Sequence, residues 1–336
     1  MLLKYGDARI SETYFNNMVN WLNYQIKRAG ENLIVKNAHY GDWLNLDDPT
    51  PEDLLSTSYL AGMCALLSRS AALLGKDMQS KELRKLRDSI AEAYGKEFFV
   101  NDQLKDGCQS QTAALLTLEF DLCPNAAAKA NVCALLKKSI VEDHQLHLST
   151  GFLGTPLLMK VLTKIGEIDL AYDLLQQTSY PGWLYPVTQG ATTMWERWNS
   201  WSDVTGFGDV NMNSFNHYAY GAVGEWFFET ICGIQPVAET LEDTGFRRWK
   251  LQPEFGHSLT HASAVYQSIN GEIKSAWQRA GDGSICWRFS VPVNTCAVLN
   301  LPDGWQIYGQ PAGQTLEDQA VIDPGSYELT LKEVSH

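Results

Sequence analysis

The chain has 336 residues, 45% of them hydrophobic, and carries 26 Lys plus Arg against 39 Asp plus Glu for a formal net charge of -13. That length fits one large domain plus a smaller one, and the interleaved apolar content is enough to bury a core. The acidic balance without a basic run excludes a phosphate-tracking nucleic-acid protein, and no apolar stretch approaches a membrane span.

The N-terminal segment "MLLKYGDARISETYF" lacks the long apolar core of a signal peptide, so read literally the chain is soluble and unexported. "ISETYFNNMVNWLNYQIKRAG" repeats apolar positions at three and four and ends at Gly30, and "TSYLAGMCALLSRSAALLGK" predicts a long, mostly buried helix followed by Gly75. Further helices are predicted at "SKELRKLRDSIAEAYGKEF", "QSQTAALLTLEF", "NAAAKANVCALLKKSIVED", "TPLLMKVLTKIG", "EIDLAYDLLQQT" and "YAYGAVGEWFFETICGI". The pattern up to residue 235 is thus roughly eight helices with no convincing strand.

Between these helices lie loops unusually rich in aromatic and polar residues: "NAHYGDWLNLDDPTPED", "LSTGFLGT" and "YPGWLYPVTQGATTMWERWNSWSDVTGFGDVNMNSFNH". Several fall at every second helix junction, as expected if helix pairs stack around an axis and present their loops at one end. After Pro236 the texture changes to alternating, β-branched and aromatic runs such as "GFRRWKLQPEF", "GEIKSAWQRAG", "GSICWRFSVPV" and "SYELTLKEV". The predicted division is a helical domain over 1–240 and an antiparallel β-sandwich over 241–336, with a hairpin turning at Asn270-Gly271. The seven Cys show neither a C-x-x-C pair nor Cys/His metal spacing; they read as small buried hydrophobes, and a reducing compartment is favoured. Neither a metal site nor a cofactor motif is expected: G-x-S-x-G, P-loop and H-E-x-x-H patterns are missing.

The loops combine Trp43, Trp183, Tyr185, Trp195, Trp198, Trp201 and His217 with Asp42 and Glu196, the composition of a carbohydrate cleft. Aromatic faces cover the C–H faces of sugar rings while carboxylates and His bond the hydroxyls. The plainer alternative is that the tryptophans anchor the long loop. Glycoside hydrolysis needs two carboxyl groups, and Glu196 is the candidate for one, with Arg197 or another cation keeping it ionised; the alternative is a structural Glu–Arg pair at a loop base. His217 is expected to bond a sugar hydroxyl or the catalytic water, or else to cap loop backbone. Asp42 with Trp43 beside it is expected to accept sugar hydroxyls, or else to serve as a turn or N-cap Asp. His39 and Tyr40 are weaker versions of the same idea, and "GFLGT" reads as a tight turn bringing backbone near the cleft.

"HYGDWL", "LSTGFLGTPLLMKVL", "YPGWLYPVTQGATTMWERWNSW", "SFNHYAYGAVGEWFFETICGI" and "GFRRWKLQPEF" together resemble the α-L-rhamnosidases of glycoside hydrolase family 78, in the family's order over nearly the whole chain. The resemblance implies an (α/α)6 barrel followed by a C-terminal β-sandwich, and inverting hydrolysis of terminal α-L-rhamnosyl residues on glycosides or polysaccharides. It also implies that Glu196 is the general base, His217 a substrate-binding residue, and Asp42 with Trp43 a sugar-binding loop; Trp183, Trp195 and Trp198 are expected from the loop composition to bind substrate beside them. Inversion places the two carboxyls roughly 6.5 to 9.5 Å apart.

Nothing matches the family's Arg-x-Glu-x-x-Gly-Trp segment, which carries its general acid. The chain therefore reads as an N-terminally incomplete barrel lacking that acid, with Asp42, Asp47 or Asp48 as weak surrogates. An incomplete barrel predicts self-association through its exposed inner wall. The compartment of the parent protein stays open. The alternatives are a non-catalytic carbohydrate-binding module and an (α/α)6 glycosidase of another sugar specificity.

Overall fold

Helical periodicity in the first two thirds of the chain translates into helices of the expected register. The computed structural model describes residues 1–36, 40–310, 316–317 and 319–334. After a short turn α1 (Leu2–Tyr5) come α2 (Arg9–Ala29), α3 (Glu52–Leu73) and α4 (Asp77–Phe98). They are followed by α5 (Gln111–Glu119), α6 (Ala126–Lys138), α7 (Thr155–Lys164), α8 (Ile168–Leu175), the short α9 (Leu184–Thr188) and α10 (Val223–Trp226). In α4 the buried residues Ser80, Leu83, Ile90, Tyr94 and Phe98 recur at three and four, so one stripe faces the core. Every residue of α5 from Gln111 to Leu118 is buried, and its first turn is closed by the Ser110 hydroxyl accepting from the Ala113 amide at 3.1 Å. Asn125 caps α6 in the same way through the Ala128 amide at 2.9 Å.

Two features of the helical part differ from the sequence expectation. The single helix expected over "YAYGAVGEWFFETICGI" is a broken run: a 3-10 turn at Ala219–Ala222, α10, and a π turn at Phe227–Ile231. Two small hairpins are also present where none was expected. β1 (Phe99–Val100) pairs antiparallel with β2 (Gln103–Leu104), and β3 (Trp201–Ser202) with β4 (Gly206–Phe207). Asn101 and Asp102 turn the first of these with φ of 50° and 61°, the left-handed pair that a two-residue hairpin loop needs. Two-residue strands are too short to leave an alternation signal, so periodicity alone misses them.

The rest of the chain is strands: β5 (Ile234–Pro236), β6 (Arg248–Leu251), β7 (His261–Ser268), β8 (Gly271–Arg279), β9 (Ile285–Val291), β10 (Cys296–Asn300), β11 (Trp305–Gly309), β12 (Gln319–Ile322) and β13 (Gly325–Glu333). They form a five-stranded sheet in the order β11-β13-β9-β8-β7 and a four-stranded sheet in the order β12-β10-β6-β5. In β9 the residues Ile285, Trp287, Phe289 and Val291 are buried and alternate with more exposed ones, the period of a sheet covered on one face. Trp277 and Trp287 lie in this buried layer, and each indole N–H finds an acceptor: the Ile231 carbonyl at 2.8 Å and the Ser275 hydroxyl at 3.0 Å.

The expected purely antiparallel character is corrected by one pair: β10 runs parallel to β6, Cys296 opposite Arg248. Parallel neighbours need a long crossover, and the three strands β7, β8 and β9 of the other sheet supply it. The expected hairpin is present but turns one residue earlier, with Ser268 opposite Gly271 and Ile269-Asn270 between them.

Two compact units partition the chain, one from residues 1–15, 72–75 and 224–336, the other from residues 16–71 and 76–223. All seven cysteines are free thiols; Cys64, Cys108 and Cys232 are buried. No helix among the described residues is long and apolar enough to cross a membrane.

Candidate functional site

The site lies within the unit of residues 16–71 and 76–223 and begins with two loops fastened to each other. Asp42 is 2% exposed, and its carboxylate takes four donors: the Thr112 hydroxyl at 2.5 Å and the Gly151 amide at 2.7 Å on Oδ2, the Leu153 amide at 2.8 Å and the Gly154 amide at 3.3 Å on Oδ1. These amides lead into α7, so the charge also sits at the positive end of that helix. The Trp43 carbonyl accepts the Phe152 amide at 2.9 Å, and the Ser149 carbonyl accepts the Leu46 amide at 2.9 Å. Asp48 Oδ2 takes the Gln111 amide at 2.9 Å and the Ser149 hydroxyl at 2.6 Å.

The loops touch so closely that only glycine fits at two places. A Cβ on Gly151 would collide with the Trp43 carbonyl oxygen and come within 2.7 Å of the Asp42 carbonyl oxygen; one on Gly154 would collide with the Thr112 hydroxyl. This is the physical reason for the glycines of "TGFLGT".

The second half of the site is built by two stretches of the long loop running side by side. The Glu196 amide donates to the Ser214 carbonyl at 2.9 Å, the His217 amide donates to the Met194 carbonyl at 2.9 Å, and the Thr193 hydroxyl donates to the Phe215 carbonyl at 2.5 Å. The pairing holds Glu196 and His217 on one short ladder. Glu196 is half-buried; its Oε2 accepts the Ser214 amide at 2.8 Å, and Oε1 meets no donor among the described residues. Arg197, expected beside it as a counter-charge, donates instead to the Met212 carbonyl at 3.1 Å and lies 3.9 Å from Asp209. His217 is half-buried, and its Nδ1 accepts the Ala219 amide at 3.3 Å, which puts the proton of a neutral ring on Nε2. Its imidazole stacks on Phe152 with ring centres 4.8 Å apart at 24°.

Behind these groups stands an aromatic layer. Trp198 stacks on Tyr220 at 3.8 Å and 11°, Trp183 meets Trp198 edge-on at 5.5 Å, and Phe152 meets Tyr220 edge-on at 5.2 Å. The Trp183 indole N–H donates to the Tyr220 carbonyl at 3.0 Å, whereas the Trp198 indole N–H is buried without an acceptor among the described residues. Burial drives the Tyr220 phenol far above the ordinary tyrosine range, and the charges of Asp42, Tyr180 and Glu196 add to the push. The Tyr220 phenol therefore lies in the field of both candidate carboxylates.

The structure thus brings Asp42, Glu196 and His217 around Tyr220 and Phe152, but it uses several expected sugar-contacting groups otherwise. Trp183, Trp195 and Trp198 are 7%, 6% and 2% exposed, so their faces are covered by protein, because a loop this long needs a core of its own. Trp201 is half-buried, and Trp43, 39% exposed, is the most open of the tryptophans proposed for sugar contact, with Tyr40 edge-on to it at 6.2 Å. The Asp42 carboxylate is filled by backbone and Thr112 rather than open to hydroxyls, and Asp48 is occupied in the same manner, so neither suits the acid role; Asp47 is exposed. His39 lies outside the described residues. Tyr220, Phe152, Thr112 and Ser214 help to build the site although the sequence analysis does not single them out; Phe152 is the one aromatic in "TGFLGT", whereas Tyr220 shares "NHYAYG" with His217 and Tyr218 and is not distinguished there. Among the described residues no three His, Cys, Asp or Glu gather as a metal site requires.

Comparison with known proteins gives two family matches. Residues 1–231 match the model described as bacterial alpha-L-rhamnosidase 6 hairpin glycosidase domain, and residues 233–314 match the bacterial alpha-L-rhamnosidase C-terminal domain. An alpha-L-rhamnosidase of Streptomyces avermitilis is 39% identical over 298 residues, covering 89% of this chain and 28% of the relative. One from Formosa agariphila is 38% identical over 304 residues, covering 88% of this chain and 32% of the relative. The crystal structure of the Streptomyces avermitilis alpha-L-rhamnosidase complexed with L-rhamnose superposes with a TM-score of 0.83 at 37% identity, over 98% of this chain and 32% of that one. The chain therefore spans about a third of the length of these relatives.

Proposed function

Because the chain belongs to the bacterial α-L-rhamnosidase six-hairpin glycosidase family, we propose that it carries the base side of a site that removes terminal α-L-rhamnose from glycosides or polysaccharides with inversion. Glu196 is the general base in this reading. The observation that carries it is the asymmetry of its carboxylate: Oε2 is pinned by the Ser214 amide while Oε1 keeps its lone pairs for a water. His217 donates from Nε2 to a sugar hydroxyl, and Trp43 offers its exposed face to the ring. Asp42 supports the loop beside them, and Trp183, Trp195 and Trp198 shape the pocket from behind. No residue of the chain is assigned as the general acid. The Streptomyces avermitilis structure, determined with L-rhamnose, supports rhamnose as the sugar.

The same reading takes residues 1–240 as part of an (α/α)6 barrel and residues 241–336 as a sandwich of the two sheets. The exposed Ile10, Tyr14, Trp21 and Tyr24, spaced by four, seven and three along α2, support self-association through that helix.

The test is L-rhamnose calorimetry together with hydrolysis of an aryl α-L-rhamnoside and of other aryl glycosides by the purified chain. L-Rhamnose is expected to bind, Glu196→Gln to bind it equally, and any turnover of the wild type to fall by about 100-fold or more in that variant. Tight binding of a different sugar sinks the assignment of substrate. Undiminished turnover by Glu196→Gln sinks the assignment of the base.

A further inference from the structure

The imidazole of His217 is held at Nδ1 by its own backbone and stacks on two rings, the adjacent Tyr218 at 5.6 Å and 2° and a ring from a distant loop. The Ala219 amide fixes Nδ1, and Phe152, 65 residues earlier in the chain, lies against the ring face at 4.8 Å and 24°. Tyr218 is 88% exposed and belongs to the same backbone stretch, so without the contact from the distant loop, rotation about the side-chain bonds of a half-buried His would leave Nε2 pointing in several directions. Phe152 in turn has little freedom. Its amide is bonded to the Trp43 carbonyl, its ring edge meets Tyr220 at 5.2 Å, and the turn that carries it is gripped at Gly151, Leu153 and Gly154 by the buried Asp42 carboxylate. Gly151 and Gly154 permit this grip because a side chain at either would strike the first loop or Thr112.

We propose that Phe152 is a positioning residue: seated on the turn that Asp42 clamps, its ring sets the orientation of the His217 imidazole, so that the loop bearing Trp43 and the loop bearing His217 present their ligand-facing groups in fixed register. The proposal rests on the reading of His217 as a sugar-hydroxyl donor for its consequence in binding, but not for the ordering itself. It also gives Asp42 a role that its filled carboxylate can perform. The charge does not meet the ligand; it locks the strut on which the ligand-facing ring leans. A stacked aromatic pair of this geometry is worth enough to select one rotamer from several.

The experiment uses the chain with isotope-labelled histidine, the His217 signal being identified by its loss in His217→Gln. Phe152→Leu keeps apolar bulk and removes the ring, Phe152→Tyr keeps the ring, and Asp42→Asn loosens the turn without touching either ring. The wild type and Phe152→Tyr are expected to give one narrow imidazole resonance. Phe152→Leu and Asp42→Asn are expected to broaden or split it, and to weaken L-rhamnose binding by roughly fivefold while Phe152→Tyr binds as wild type does. A His217 resonance that stays narrow and single in folded Phe152→Leu overturns the proposal. If Phe152→Leu does not fold, Asp42→Asn decides instead, since an unchanged imidazole signal in that variant would break the chain of support. A wild-type chain that binds no L-rhamnose speaks against the rhamnosidase reading of the site, and the imidazole signal still decides the positioning.

Discussion

Glu196 and Ser214 exchange two hydrogen bonds, the Glu196 amide giving to the Ser214 carbonyl at 2.9 Å and the Ser214 amide giving to Glu196 Oε2 at 2.8 Å. The proposed base is therefore also a fastener of the loop that carries it. Glu196→Gln keeps an acceptor for the Ser214 amide and is expected to fold with nearly wild-type stability. Glu196→Ala leaves that amide without its partner and is expected to lose about 1 kcal/mol in urea unfolding. Equal stability of the two variants would show that the reciprocal pair does not hold the loop.

Trp183 and Trp198 stand edge to face, yet only Trp183 uses its indole N–H. Trp183→Phe removes a buried hydrogen bond to the Tyr220 carbonyl along with ring volume, for an expected cost of about 2 kcal/mol. Trp198→Phe discards a buried donor that meets no acceptor among the described residues, and the relief offsets part of the lost packing. Its expected cost is about 1 kcal/mol or less, read from the shift in urea midpoint at constant slope. The reverse ranking would mean that the Trp198 N–H is satisfied in solution.

Glu254, in the loop after β6, has its carboxyl held above its ordinary value of 4.5 by burial, with the Asp303 charge adding; the Gln252 hydrogen bond pulls the other way. Below that ordinary value folded and unfolded chains both keep the proton. As pH rises the unfolded chain ionises first, so stability is lost through the window up to the raised folded pKa and stays lower beyond it. Glu254→Gln removes the titration. Its thermal midpoint is expected to match wild type near about pH 4 and to exceed it near about pH 7. A midpoint difference that does not change with pH would show that burial of the charge is not what costs stability there.

Helices and strands are readable from the sequence where one face is buried over several turns or pleats, as in α4 with its stripe from Ser80 to Phe98 and in β9 with its alternating Ile285, Trp287, Phe289 and Val291. The reading fails where a contact distant in sequence decides the outcome. Composition identifies the long loop as special, but it cannot distinguish a tryptophan offered to a sugar from one buried under its neighbours, and Trp183 and Trp198 are of the second kind. Asp42 is visible as a polar residue beside an aromatic one. Its use depends on the amides of Gly151, Leu153 and Gly154, more than a hundred residues away, which no local pattern reports. The parallel β6–β10 pair escapes for the same reason: alternation predicts strands but says nothing of their neighbours' direction.

That parallel pair sets a timetable for synthesis. β6 ends at Leu251, and the partner it pairs with in parallel begins at Cys296, so one flank of β6 keeps its amides and carbonyls unpaired until the whole hairpin run of β7 to β9 has emerged. At ribosomal speeds the delay is roughly 2 to 10 seconds, far longer than a hairpin takes to close. A chain stalled or cleaved between Val291 and Cys296 would carry a finished run of hairpins together with an open, apolar strand edge around Trp249 and Leu251, the kind of edge that recruits strands from other molecules. Strand β10 thus acts as a seal, and termination ahead of it would release a sticky product rather than a merely shortened one.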